Sequence, residues 1–229
     1  MISTDNYLDE PIMKTVLITG ATGALGSVVH QMFESRGWQV VIIQSPRPDR
    51  SAGSHTLLAD ITDEHQTAGA VQEIMTRFGG LDAVLLLVGG FEGGGLENSD
   101  GGSLRRMFAL NVESAYNVLR PVMLHWRKSG RSGRAVLVGA AGALDAETGR
   151  CNLAYAWSKA SLMPLAAMLN KDNPDIRTAV LLPGTIDTPA NRSYSSGADH
   201  TEWDKPADLA EALLDFAEGR PVSGKLMVP

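Results

Sequence analysis

Short runs of consecutive apolar residues alternate with stretches that repeat their apolar positions every three or four residues. That alternation predicts a parallel β-sheet covered by helices on both faces. The strand-like runs are Lys14–Thr19, Gln39–Ile43, Thr56–Ala59, Asp82–Val88, Ala135–Val138, Arg177–Leu182 and a closing Lys225–Val228. The helical patterns are Ala24–Arg36, Asp63–Phe78, Ser103–Lys128, Asn152–Leu169 and Pro206–Glu218. In the longest of these, Phe108, Val112, Ala115, Leu119, Val122 and Trp126 fall on one face. The expected fold class is α/β: a doubly wound, Rossmann-type sheet of about seven strands in one domain over 13–229. Residues 1–12 read as a flexible leader. Two long connections stand out, a glycine-rich Gly89–Gly102 and a polar Pro183–Lys205; long loops in compact domains are often functional.

The first strand runs directly into Thr19-Gly20-Ala21-Thr22-Gly23-Ala24-Leu25-Gly26. Glycines at such a turn let the backbone approach a pyrophosphate, and the helix N-terminus behind it offers unpaired N–H groups and a favourable dipole. The candidate phosphate-binding set is Gly20, Thr22, Gly23, Ala24, Leu25 and Gly26. Asp60, after the third strand, suits an adenine amino group; the alternative is a helix N-cap, which Asp63 would fill better. The residues after the second strand read the 2′ position of a dinucleotide. Here they are Gln44-Ser45-Pro46-Arg47, with no carboxylate before Asp49. Ser45 and Arg47 favour NADP(H), while NAD(H) stays open, since Arg47 also reads as an ordinary exposed arginine.

Tyr155 and Lys159 lie four residues apart near the start of a predicted helix, so they share a face. A free phenol, with a pKa of about 10, is a poor acid–base group near neutrality. An adjacent ammonium is expected to lower that pKa, which would let the pair exchange a proton with a carbonyl, alcohol or imine.

Taken together, TGATGALG, Asp60, Asn111 within ALNVESAYNV, Tyr155/Lys159 and Pro183-Gly184-Thr185-Ile186-Asp187-Thr188 resemble the short-chain dehydrogenase/reductase family, over essentially the whole stretch from Met13 to Pro229. The resemblance implies an NAD(P)-dependent oxidoreductase. It implies that Asn111 anchors a water in a proton relay, although a polar residue filling a helix kink would read the same. It further implies that Lys159 contacts the nicotinamide ribose, that Pro183, Gly184, Ile186 and Thr188 face the carboxamide, and that Ile61, Gly89 and Gly90 complete the cofactor set. The chain departs from the family where its usual serine should stand. The loop after Ala135–Val138 reads Gly139-Ala140-Ala141-Gly142-Ala143-Leu144-Asp145, with Ala140 as the nearest counterpart. Leu86-Leu87-Val88-Gly89 replaces the usual Asn-Asn-Ala-Gly run.

Several of these departures are similar to one branch, the quinoid dihydropteridine reductases. They include GALGS, VGGFEGG, GAAGALD, IDTPANR, the Trp203–Pro206 segment and RPVSGKL. A quinoid pterin is an activated acceptor that develops less oxyanion character, so a missing serine is tolerable. Gln44 departs from the acidic residue that branch carries, and the branch lacks the equivalent of Asn111. Phe91, Ala140, Ala141, Asp145 and Trp157 form the candidate substrate pocket, with Phe91 and Trp157 placed to sandwich a flat ring or, equally, to pack in the core.

Composition narrows the field. At 229 residues and 44% hydrophobic content, the chain can bury one sizeable core. A net charge of −6 and scattered basic residues argue against a nucleic-acid partner. No run approaches the roughly 18 apolar residues of a membrane span. One cysteine, Cys151, excludes an internal disulfide and fits a cytoplasmic location. The five histidines lack metal-ligand spacing, so no metal is expected. Three readings stay open: an NAD(P)H-dependent reductase of a conjugated, quinoid-dihydropteridine-like acceptor; a general carbonyl reductase lacking the serine; and a dinucleotide sensor without turnover. A small-molecule substrate and a homodimer or homotetramer are expected.

Overall fold

The apolar runs become strands whose neighbouring side chains point to opposite, equally covered faces. They are β1 (Thr15–Thr19), β2 (Gln39–Gln44), β3 (Thr56–Leu58), β4 (Ala83–Leu86), β5 (Gly133–Val138), β6 (Ile176–Leu181) and β7 (Leu226–Met227). A computed structural model describes residues 13–195, 197–222 and 224–229; the leader expected over 1–12 lies outside them. The strands form one sheet in the order β3-β2-β1-β4-β5-β6-β7, parallel throughout except for β7, which runs antiparallel to β6.

The helices are α1 (Ala24–Ser35), α2 (Glu64–Phe78), α3 (Gly101–Phe108), α4 (Ser114–Ser129), α5 (Ala146–Gly149), α6 (Leu153–Ala160), α7 (Leu162–Asp172), α8 (Pro189–Tyr194) and α9 (Pro206–Glu218). Alternate residues of the strands feed two cores. Leu17, Val84 and Leu137 pack with Ile74, Leu119 and Trp126 beneath α2 and α4. Val16, Leu85 and Val136 pack with Val29, Phe33 and Leu213 beneath α1 and α9. Each such fully buried side chain contributes about 1.5–3 kcal/mol, which is why the strands read as unbroken apolar runs.

Three expectations change. The long helix predicted over Ser103–Lys128 is interrupted by a π-helical turn at Ala109–Glu113. The extra residue shifts the buried face, so Met107 and Asn111 turn inward and Phe108 is left half-buried. The helix predicted over Asn152–Leu169 breaks at Ser161 into α6 and α7, because Pro164 has no N–H to give the carbonyl four residues earlier. The strand predicted over Asp82–Val88 is shorter at both ends: the Asp82 carboxylate is occupied in accepting the Thr15 N–H at 2.8 Å.

The chain winds outward from β1 to β3, then crosses back to β4 on the other side of β1. At such a reversal the connections leave in opposite directions and open a crevice at the carboxyl edge of the strands. The residues following β1, β4, β5 and β6 all emerge at that edge.

Candidate active site

The turn after β1 is made of backbone. Gly20 has φ of +74°, and a Cβ there would lie 3.0 Å from the backbone at Leu87 and Val88. The Gly23 N–H closes the turn on the Gly20 carbonyl at 3.0 Å. At Gly26 a Cβ would overlap that same carbonyl oxygen, so glycine alone lets α1 start this close to β1. No side chain caps α1, and no acidic residue occupies its first turn. Thr22, Gly23 and Ala24 are exposed there, while Leu25 packs partly into the core. The result is an open helix N-terminus beside a glycine cradle, an arrangement that fits a phosphate diester.

Toward β2 and β3, Gln44 ends its strand half-buried, and Ser45 and Arg47 are exposed. Arg50 donates to the Ser45 carbonyl at 3.3 Å; the sequence reading missed this second cation. Asp60 does not cap α2. Asp63 does, accepting from His65 and Gln66, while Asp60 accepts from the Thr62 amide and hydroxyl at 3.0 and 2.7 Å. Next to it Ile61 is buried, and its carbonyl accepts from Asn117 at 3.0 Å.

The side-chain half of the site lies at the ends of β4 and β5. In the π turn, the Asn111 carboxamide is buried. Its Oδ1 accepts the Gly90 N–H at 2.8 Å; its Nδ2 donates to the Gly90 carbonyl at 3.1 Å and to Ser158 Oγ at 2.9 Å. Asn111 both occupies the kink and staples the loop after β4. Ser158, which sequence reasoning passed over, donates in turn to the Tyr155 carbonyl at 2.7 Å. A lone serine inside a helix carries no signal that could have found it. Lys159 is buried and donates from Nζ to the Val138 carbonyl at 2.7 Å. A Cβ at Gly89 would lie 2.8 Å from both Asn111 Oδ1 and Lys159 Nζ, so Gly89 is the open face onto which both side chains converge.

The expected lowering of the tyrosine pKa does not appear. Burial pushes the Tyr155 phenol above its ordinary value and brings the Lys159 ammonium down to about 8. Lys159 is aimed at the Val138 carbonyl rather than at the phenol, so desolvation, not the pair's attraction, dominates both groups.

Tyr155 and Lys159 share the wall of a cavity of about 760 Å³ with Val138, Ala140, Pro183, Gly184 and Ile186. Phe91 also lines it, edge-on to the Tyr155 ring at 4.9 Å. Of the other substrate-pocket residues expected from sequence, Ala140 lines the cavity, but Ala141 does not. Asp145 is occupied as the N-cap of α5, accepting from Thr148 N and Oγ1 at 2.8 and 2.6 Å; those bonds hold its carboxyl below the usual range. Trp157, two residues from Tyr155, turns to the opposite side of α6 and packs on Phe108 at 5.4 Å. In its place the cavity takes Tyr194 and Asn191 from α8, a helix hidden in what read as loop. Its signal was present: Thr188 caps it, with Pro189 at the first helical position. Thr188 therefore serves the helix, and Ile186 faces the cavity.

The glycine-rich loop is tied down rather than free. Gly94 pairs with Asn152, and its carbonyl accepts the Leu153 N–H at 2.8 Å. Glu92 accepts from Ser103 and from Arg106 at 2.8 Å, and that guanidinium holds its carboxyl below the usual range.

A family model described as short chain dehydrogenase matches residues 14–199. Among curated proteins, the dihydropteridine reductase of Dictyostelium discoideum is 28% identical, with 93% of each chain covered. The L-fucose dehydrogenase of Mus musculus is 27% identical over 90% of this chain and 76% of its own. The solved structure of ElxO with NADP bound superposes with a TM-score of 0.78 at 20% identity, covering 90% of this chain and 91% of that one.

Proposed function

This chain belongs to the short-chain dehydrogenase family and is an oxidoreductase of that kind, and from that premise we propose that it is an NAD(P)H-dependent reductase of a flat, uncharged, conjugated acceptor resembling a quinoid dihydropteridine. The observation that carries this reading is Ala140. It lines the cavity with Tyr155, and the Gly139–Asp145 loop offers no hydroxyl, so the serine's share of the chemistry has no counterpart in that loop and this reading makes the phenol the proton donor. Apart from Lys159, which this reading assigns to the nicotinamide ribose, the cavity's lining residues carry no charge, so none is left over to pair with a carboxylate or phosphate on the acceptor. The likeness to the Dictyostelium dihydropteridine reductase supports the same class.

In this reading, the open N-terminus of α1 with Gly20, Thr22, Gly23, Ala24, Leu25 and Gly26 holds the pyrophosphate. Asp60 and Ile61 border the adenine. Gln44, Ser45 and Arg47, with Arg50 behind them, meet a 2′-phosphate, which favours NADPH over NADH. Gly89, Gly90 and Lys159 border the nicotinamide ribose, and Pro183, Gly184 and Ile186 the carboxamide. When bound, a reduced nicotinamide supplies hydride. Tyr155 gives its phenolic proton to the acceptor, and Lys159, bonded to the Val138 carbonyl, keeps its ammonium on the same cavity wall. Asn111 and Ser158 hold the helix and loop that carry these groups.

The test compares acceptors. Wild type should reduce quinoid dihydropterin far faster than simple ketones. Ala140→Ser should raise ketone turnover toward the about 100–1000-fold that one oxyanion donor is worth, with little change for the pterin. Preference for ketones in wild type would move the assignment to a serine-less carbonyl reductase, the reading favoured by the likeness to L-fucose dehydrogenase. Dinucleotide binding with no turnover of any acceptor would move it to a sensor.

The oligomer is part of the proposal. Tyr116 and Leu124 of α4, Leu153 and Trp157 of α6 and Met168 of α7 are exposed apolar side chains, and they suit a homodimer or homotetramer. Light scattering giving a 24.4 kDa particle would contradict this. Among the described residues no helix is long and apolar enough to cross a membrane; a cytoplasmic location is proposed with the activity.

A further inference from the structure

The segments around Trp203–Pro206 and Arg220–Leu226 take no part in the chemistry described so far, yet both converge on one peptide group. That group is the bond between Pro183 and Gly184, in the cavity wall. Its carbonyl accepts the Ala141 N–H at 2.8 Å, which ties it to the loop carrying Ala140. Its N–H donates to Asp204 Oδ2 at 2.6 Å. The other carboxylate oxygen of Asp204 faces Lys225 Nζ at 3.4 Å. The backbone adds three more ties. Asp204 donates its N–H to the Thr185 carbonyl at 2.9 Å, Asp187 donates to the Asp204 carbonyl at 2.8 Å, and Leu182 donates to the Lys225 carbonyl at 2.7 Å.

A peptide plane bonded at both ends has no remaining freedom to rotate. The Asp204 side chain is only 15% exposed, so its bond to the Gly184 amide is charge-assisted and poorly replaced by water. Neither Asp204 nor Lys225 lines the cavity; both act from behind it.

We propose that Asp204, held by Lys225, is a positioning residue. It fixes the Pro183–Gly184 peptide, and with it Ile186 and Ala140, so that the nicotinamide end of the dinucleotide is presented to the acceptor at the correct distance. The inference rests on the dinucleotide-dependent reading above. It assigns Asp204 a role in binding the nicotinamide half and none in binding the adenosine half, which lies across the crevice at β2 and β3.

The experiment separates the halves. Binding of NADPH and of 2′,5′-ADP, which lacks the nicotinamide, is titrated for wild type, Asp204→Ala, Asp204→Asn and Lys225→Met. Asp204→Ala should weaken NADPH by about tenfold or more and lower kcat toward quinoid dihydropterin by roughly 10–100-fold, the scale of a small misplacement. It should leave 2′,5′-ADP affinity unchanged. Asp204→Asn keeps an acceptor oxygen for Gly184 and should restore most of the loss. Lys225→Met should give a weaker effect of the same pattern. If Asp204→Ala does not fold, Asp204→Asn and Lys225→Met still carry the comparison. Equal weakening of both ligands, or unchanged NADPH binding and kcat, overturns the inference while leaving the reductase reading intact. Wild type that binds neither NADPH nor NADH overturns both.

Discussion

The two halves of the crevice are made of different material. The turn after β1 is backbone: glycines, amide hydrogens and a helix end, with no side chain capping it. The half proposed to handle the proton is side chains: Asn111, Tyr155, Ser158 and Lys159 on a π turn and a short helix. The two meet where β1 and β4 end. Gly20 presses on Leu87 and Val88, and two residues on, Gly89 faces Lys159 and Asn111. The contrast teaches what each half tolerates. The backbone half is indifferent to side-chain chemistry but intolerant of an added carbon. The side-chain half tolerates little loss of a functional group, because the polar atoms of Asn111, Ser158 and Lys159 are each held by another group.

The contrast would break if removing one oxygen from the side-chain half did nothing. Tyr155→Phe is expected to lower kcat by about 100–10,000-fold, the range of general acid catalysis, with dinucleotide affinity nearly unchanged. Steady-state kinetics beside a binding titration checks it, and an unchanged kcat removes Tyr155 from the mechanism.

Next in size is a stability effect in the same half. Burial holds Lys159 at about 8 against an ordinary 10.5, so its charge opposes folding. The cost is full below about pH 8. Between that pH and 10.5 the folded state releases the proton that the unfolded state retains, and stability rises with pH. Relative to Lys159→Met, wild type should gain about 3 kcal/mol across that window. Urea unfolding at several pH values measures the difference; a constant gap would mean that Lys159 is not held in the desolvated position found here.

On the backbone half, Gly26→Ala adds the carbon that would overlap the Gly20 carbonyl. The turn must shift, at about 1–3 kcal/mol, and dinucleotide binding should weaken along with thermal stability. Calorimetry on wild type and variant decides it; an unaltered binding constant would show that the cradle is not needed.

Smallest is Arg47→Ala, at the edge of that half. It should weaken NADPH by about tenfold and leave NADH nearly unchanged. Tighter binding of NADH by wild type would reverse the proposed cofactor preference.

Much of this was legible along the chain. The strands are buried on both faces and so wrote themselves as apolar runs; only their ends moved, where a side chain such as Asp82 took a backbone partner. The turn at Thr19–Gly26 was legible because its geometry depends on what glycine lacks. Asp63 at the start of α2 was legible as a local cap. What the sequence could not state was direction. Periodicity carried Phe108 and Val112 inward, but the π turn leaves Phe108 half-buried and brings Met107 and Asn111 in, with Val112 only partly buried against the core. Trp157 was expected to sandwich a flat ring or to pack in the core, yet two residues along a helix face opposite sides, so it turns away from Tyr155, and Tyr194 from α8 lines the cavity instead. The attraction expected between Tyr155 and Lys159 depended on where the ammonium points, and the carbonyl of Val138, brought alongside by the β5 strand, decided that. The sequence by itself determined the residue types, the order of elements and the glycine-dependent turn, since these follow from local sterics and periodicity. The tertiary structure decided which groups meet, which are desolvated and what each hydrogen bond is spent on, because those depend on contacts between segments far apart in the chain.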